Sequence, residues 1–337
     1  MQEAMLYEKV KLNTIQCNLC QHRCKIEDGQ KGICQVRENR KGILYSLVYG
    51  KAIATNVDPI EKKPLFHFQP GSHSYSFATV GCNFHCLFCQ NADIAHLPRN
   101  QGRVIGKDLP PATIVEKAME SGCQSISYTY TEPTVFFEYA YDTARLAHKA
   151  GLKNVFVSNG YMTPEAIQTI SPYLDAINVD LKAYDDEIYK KYMGARLDKV
   201  LESITTIFKT RIWMEITTLV VPSVNDTREQ LSGIARFIAS LSPDIPWHIS
   251  RFHPSYKFTT EGPTPFPILK MCQEIGKEKG LHFIYLGNVW GEEDEHTICW
   301  NCGQMLIKRF GFSVQENNIK DGKCFNCKTA IPGVGLG

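Results

Sequence analysis

The chain has 337 residues, 43% hydrophobic and 21% charged, with 37 Lys and Arg against 35 Asp and Glu for a net charge of +2. This is the composition of an ordinary globular protein, long enough for one large domain with small additions, and neither a disordered nor a fibrous chain. The near-neutral balance removes the electrostatic case for general nucleic-acid binding outside a local patch.

The opening residues carry no apolar signal-peptide core, and no apolar run approaches a membrane span, so a cytoplasmic location is expected. Residues 1–66 read as a cysteine-bearing segment ending in the loop-like stretch Asp58-Pro59-Ile60-Glu61-Lys62-Lys63-Pro64. From 67 to 292 strand and helix patterns alternate. Strands are expected at Ser74–Val80, Ser125–Thr131, Asn154–Val157, Ala176–Leu181, Arg211–Val221, Trp247–Arg251 and His282–Leu286. Helices are expected at Pro111–Ser121, Val135–Lys149, Pro164–Thr169, Asp185–Phe208, Thr227–Ala239 and Pro267–Lys279. Residues 293–337 form a short Gly-rich tail. The fold class is therefore α/β: a partial (β/α)6 barrel of the TIM-like kind, with small cysteine-rich metal-binding segments at both ends.

In such sheets the chemistry collects at the carboxyl ends of strands. Residues 81–90, Glu132-Pro133, Ser158-Asn159-Gly160, Asp180 with Lys182, and His253 all fall there. Taken singly, each has a plainer reading. Glu132 suits a helix N-terminus, Asp180 and Lys182 suit an ion pair on one strand face, and His253 suits an ordinary loop histidine.

Thirteen cysteines decide more than the totals do. In a reducing compartment, clustered thiols point to metal or redox chemistry rather than disulfides. Cys123 and Cys272 stand alone and read as small buried hydrophobes. Cys82, Cys86 and Cys89 form a C-x3-C-x2-C loop after the first strand. Three thiolates can hold three irons of a 4Fe–4S cluster and leave the fourth open for a chelating cofactor. The alternative is a zinc site completed by His85.

This loop resembles the radical S-adenosylmethionine (SAM) signature, and residues 67–292 resemble the pyruvate formate-lyase-activating enzyme group. The whole layout is similar to the radical SAM proteins associated with Memo and AMMECR proteins. The resemblance implies that Phe88 meets the adenine and that Glu132 pairs with the methionine amine. In its Thr131-Glu132-Pro133 element, Thr replaces the usual Gly. It further implies that Ser158 and Asn159 lie near the cofactor, that Asp180 and Lys182 contact its ribose and carboxylate, and that His253 reaches it. The implied chemistry is reductive. A one-electron donor such as ferredoxin or flavodoxin feeds the cluster, S-adenosylmethionine is cleaved, and a 5′-deoxyadenosyl radical abstracts hydrogen from a substrate. The group resemblance favours a partner protein as that substrate, with Memo- and AMMECR-type proteins as further partners.

At the C-terminal end, Cys299-x2-Cys302 and Cys324-x2-Cys327 stand 21 residues apart, the pattern of tetrathiolate zinc or a rubredoxin-like iron. Gly303 follows the first pair as a knuckle glycine, but Lys328 follows the second. At the N-terminal end, Cys17, Cys20, Cys24 and Cys34 suit zinc or an auxiliary Fe–S cluster, with His22 a possible substitute ligand. Two other functions remain open at this stage: an RNA-modifying radical enzyme, and a zinc-ribbon scaffold without catalysis.

Overall fold

A computed structural model describes residues 1–289 and 295–337, so the expected tail boundary at 292/293 lies outside the described residues. Its centre is an eight-stranded sheet of β1 (Ala54–Pro59), β2 (His73–Ala78), β3 (Ser125–Tyr128), β4 (Lys153–Ser158), β5 (Ala176–Asp180), β6 (Trp213–Val220), β7 (Trp247–Arg251) and β8 (Ile284–Gly287). The strands neighbour one another in chain order. β1 pairs antiparallel with β2, and the other seven run parallel. Between the parallel strands lie helices α1 (Pro111–Glu120), α2 (Phe137–Lys149), α3 (Pro164–Ile170), α4 (Leu197–Phe208), α5 (Arg228–Leu241) and α6 (Phe266–Glu278).

The local chemistry explains these elements. Residues 125–128 are buried throughout, as expected of a parallel strand covered on both faces. Helix α1 starts on Pro111, whose missing N–H costs nothing at a first turn, and buries Ile114, Val115 and Ala118 on one stripe. Helix α5 starts where the Thr227 hydroxyl accepts from the Gln230 N–H.

Two expectations need correction. Asp58-Pro59 is not loop but the end of β1, so the main sheet begins before residue 67. The stretch 185–208 is not one helix. A short turn at Asp186–Ile188 runs into a wide π-turn at Tyr189–Met193, and α4 starts only at Leu197. Gly194 makes the break, with φ of +69°. The break has a purpose in packing: a Cβ on Gly194 would sit 2.4 Å from His85 Nδ1. The freed carbonyls of Met193 and Tyr192 accept from the His85 and Leu87 N–H groups, which braces the cysteine loop.

The N-terminal segment shares the main core, through Ile15, Leu19, Ile26, Val36 and Leu44 among others. Arg37 and Glu138, both almost fully buried, tie it to α2 with two N–O contacts of 2.9 Å. The C-terminal tail builds a second core on Phe66, Phe283 and Tyr285. His67 holds it in place. Its Nδ1 faces the Pro332 carbonyl at 2.7 Å and therefore carries the proton, which leaves Nε2 to accept from the Tyr285 hydroxyl at 2.7 Å. Burial keeps this histidine neutral, pushing its pKa down to about 4. Cys123 and Cys272 are buried, as their isolation implied.

Candidate functional site

At the carboxyl ends of the parallel strands lies a cavity of about 560 Å³. Cys82, Cys86, Phe88, Cys89, Glu132, Ser158, Asn159, Asp180 and Lys182 all line it, brought from the ends of β3, β4 and β5 and the loop after β2. His253 does not. It follows the buried Phe252 and stands exposed beyond β7, so its expected reach to the site is not realised. The histidine that lines the cavity is His248, within β7, together with Tyr285 from β8 and Lys62 and Lys63 from the segment before β2. The available signal was its place in the strand Trp247–Arg251, where His248, Ile249 and Ser250 all reach the cavity.

The cysteine loop is held by backbone contacts that leave its thiols facing the cavity. Burial pushes the Cys82 thiol well above its ordinary range and Cys86 up to about 12, although Lys182 pulls Cys86 down. Such thiols ionise only with a compensating positive group, and a metal cluster is one. The Phe84 N–H donates to Cys82 Sγ at 3.4 Å, and the Asn159 amide approaches the same sulfur at 3.8 Å. Asn83 Nδ2 and His85 Nε2 are buried with no hydrogen-bond partner among the described residues.

Glu132 is the most constrained carboxylate at the site. Its Oε1 accepts from the Thr134 N–H at 3.0 Å, the Thr134 hydroxyl and the Ser158 hydroxyl; its Oε2 accepts from the Asn159 N–H at 2.8 Å. It caps the helical turn Pro133–Phe136 while still lining the cavity, so the plainer reading and the functional one coexist. Burial raises its pKa, and these donors oppose the rise. Thr131 needs no glycine-like backbone, because the left-handed residue in this turn is Tyr130 at φ +63°. Lys182 pairs with Asp180 at 2.8 Å. Burial opposes its charge, but Asp180 and the neighbouring Cys86 thiol more than offset this and hold its pKa above the ordinary lysine value.

Beneath the cavity Glu215 is wholly buried and accepts from four donors: the Phe66 and His67 N–H groups, the Trp213 indole and His248. This residue was missed from sequence, because a lone Glu in a strand pattern carries no motif.

The C-terminal cysteines form a compact quartet with all four sulfurs within 4.8 Å of one another. Cys299 and Cys327 are 3.6 Å apart, Cys302 and Cys324 3.7 Å. Lys328 adopts the same left-handed turn as Gly303, at φ +62° against +74°. The Lys328 N–H bonds the Cys324 carbonyl as the Gly303 N–H bonds that of Cys299. The N-terminal four, Cys17, Cys20, Cys24 and Cys34, surround a separate small apolar pocket.

Residues 77–238 match the family model of the radical SAM superfamily. The uncharacterized protein MJ0808 of Methanocaldococcus jannaschii is 44% identical over 329 residues, covering 97% of each chain. This chain belongs to the radical SAM superfamily. It is a radical SAM enzyme with an iron–sulfur loop and a separate metal-binding cysteine quartet, and the scaffold reading falls. It is related to the activating enzymes: pyruvate formate-lyase 1-activating enzyme of Escherichia coli K12 is 21% identical over 159 residues, 47% of this chain and 65% of that one. Streptococcus suis SuiB, solved bound to S-adenosylmethionine, shares the radical SAM α/β fold. Its TM-score is 0.51 at 15% identity, over 68% of this chain and 53% of SuiB. Among the described residues no helix is long and apolar enough to cross a membrane.

Proposed function

We propose that this radical SAM enzyme abstracts a hydrogen atom from a partner protein, in the manner of the glycyl-radical activating enzymes. The observation that carries this reading is the sequence similarity to activating enzymes. Within the superfamily we assign it to the type associated with Memo and AMMECR proteins, acting in the cytoplasm with a ferredoxin- or flavodoxin-like electron donor. In this reading the catalytic unit is the eight-stranded sheet with its helices, from β1 at Ala54 rather than from residue 67. The sheet curves as a partial barrel, which is supported by residues from β3 through β8 lining one cavity.

Cys82, Cys86 and Cys89 would hold the 4Fe–4S cluster, and the open iron would take S-adenosylmethionine. When bound, this pair supplies one-electron cleavage of a carbon–sulfur bond and hence a hydrogen-abstracting radical. The chain's own residues bind and orient. Phe88, buried at the cavity wall, offers an aromatic face or edge to the adenine. Glu132, fixed by its four donors, presents a carboxylate to the amine. Ser158 and Asn159 hold that carboxylate in place. Asp180 and Lys182 offer a paired acceptor and donor to the ribose and carboxylate. The walls around them exclude water, which protects a radical from stray hydrogen donors.

The neighbouring cations argue for a protein rather than RNA at the mouth. Lys62 and Lys63 share the one Asp58 carboxylate, at 2.9 and 2.6 Å, and Lys182 pairs with Asp180, so of these cations a single positive charge is left over. The C-terminal quartet we assign to zinc. Four sulfurs at about 2.3 Å from one tetrahedral ion lie about 3.8 Å apart, close to the spacings found.

The test is anaerobic. Purified protein with dithionite and S-adenosylmethionine should yield 5′-deoxyadenosine, and Cys86→Ala should not. Adding cell extract should raise the yield, and the gain should survive ribonuclease and vanish after protease treatment of the extract. A gain abolished by ribonuclease and untouched by protease would overturn the protein-substrate reading.

A further inference from the structure

We infer that Cys17, Cys20, Cys24 and Cys34 hold a second iron–sulfur cluster of the 4Fe–4S type, and not zinc. The four thiols are brought together by the fold. Cys17 closes the strand Thr14–Cys17, and its N–H bonds the Cys24 carbonyl at 2.9 Å across the antiparallel pair. All four line one small pocket walled by Leu19, Ile26 and Ile33.

The size of the cage decides the metal. The C-terminal quartet shows how this chain builds a cage for a single ion, with sulfurs 3.6 and 3.7 Å apart. Among the described residues, that quartet is the one group of three or more His, Cys, Asp or Glu side chains close enough to share an ion, its sulfurs all within 4.8 Å of one another. The N-terminal four do not form such a group, and neither do Cys82, Cys86 and Cys89. One zinc requires all its thiolates to crowd to about 3.8 Å. A cubane of four irons and four sulfides stands between its thiolates and keeps them farther apart. The N-terminal cage thus shares the wide spacing of the central cluster loop.

The wall of the pocket suits sulfur. Arg37 lines it, buried, with its two terminal nitrogens taken up by Glu138 and the Met5 carbonyl. Its Nε is buried and has no partner among the described residues. An unmet N–H at the edge of a thiolate cage is a donor for a cluster sulfide or cysteine sulfur, and a lasting orphan there would cost about 1–3 kcal/mol.

The site also leans on the central loop. His22 Nε2 meets the Asn83 carbonyl at 2.9 Å, and a Cβ on Gly81 would lie 2.6 Å from Val36. Thr134 and Val135, just after Glu132, form its far wall. A cluster held here is therefore one packed layer from the catalytic cavity. This assignment is independent of the substrate proposed above.

The experiment is metal and sulfide analysis of the full chain purified anaerobically. The Cys82→Ala/Cys86→Ala/Cys89→Ala variant should retain about four irons and four sulfides per chain, with a reduced-cluster EPR signal after dithionite. Should that variant prove insoluble, the wild type should carry about eight irons and Cys20→Ser/Cys24→Ser about four. Absence of iron from the triple variant would overturn the assignment, whether or not a second zinc appears. So would a wild type holding about four irons that Cys20→Ser/Cys24→Ser leaves unchanged.

Discussion

Glu132→Gln separates what the carboxylate does for the fold from what it does for the cofactor. The side chains are isosteric, so packing is unchanged and only charge and one acceptor are lost. The amide has two orientations. With its oxygen toward Thr134 and Ser158, its NH2 faces the Asn159 N–H; turned over, it faces the Thr134 N–H, while the hydroxyls can rotate to accept. Either way one backbone donor is orphaned, a cost of about 1–3 kcal/mol in stability. Loss of a charged hydrogen bond to the cofactor amine is a separate cost of about 1.5–3 kcal/mol, or roughly ten- to 150-fold in Kd. The two effects also differ in pH sign. Because burial raises the folded pKa of Glu132, its contribution to stability is complete below the unfolded carboxylate pKa and is lost as pH rises through the folded value. Cofactor affinity runs the other way, rising through the same pKa as the carboxylate ionises. Anaerobic equilibrium dialysis with S-adenosylmethionine from pH 5 to 8, beside thermal melts, reads both. A Kd within threefold of wild type, or an acid-side loss of affinity that persists in Glu132→Gln, would refute the assignment of this residue to the amine.

Three further outcomes are expected. Glu215→Gln should cost about 1–3 kcal/mol, because His248 can switch tautomer to accept from the new amide while the Phe66 N–H is orphaned; Glu215→Ala orphans three fixed donors and should cost about 3–9 kcal/mol. Burial would raise the Glu215 pKa, but its hydrogen bonds and the nearby histidines lower it overall. Its stabilisation is therefore present above the unfolded carboxylate pKa and lost as pH falls through the folded value, and pH-dependent melts of wild type and Glu215→Gln check this. Gly194→Ala should cost about 2–5 kcal/mol, from left-handed backbone strain and overlap with His85, and should lower bound iron; His85→Ala in the same chain should recover about 1–3 kcal/mol, and strict additivity in melts would contradict this. Lys328→Gly should raise the melting temperature by the equivalent of about 0.5–1 kcal/mol without changing the metal content of the quartet, since glycine adopts the knuckle turn unstrained.

The parallel strands were legible because burial on both faces leaves short β-branched and aromatic runs, and Trp247–Arg251 falls where its pattern put it. β1 was not legible. It is an antiparallel edge strand with mostly exposed residues and a closing proline, so it carries no buried period and its partner is chosen by tertiary pairing. The break at Gly194 was equally hidden, because the helical pattern on both sides is sound and the reason for the break lies in His85, far away in sequence. His253 shows the opposite failure. A motif comparison places it at the cofactor, but it falls two residues past the end of β7, and the histidine that lines the cavity is His248, within the strand.

The cysteines mark where sequence reasoning ends and geometry takes over. Spacing along the chain, C-x2-C at both termini, reports only that thiols will meet; it is silent on how far apart the fold stops them. At the C-terminal end the two turns, one on Gly303 and one on Lys328, point paired thiols inward until four sulfurs fit one ion. At the N-terminal end, the last ligand comes from the separate loop carrying Cys34, which the main core fixes through Val36 and Arg37. Val36, two residues after Cys34, packs directly on Gly81 at the start of the catalytic loop, so the loop that carries Cys34 and the loop that carries Cys82 are fixed against each other.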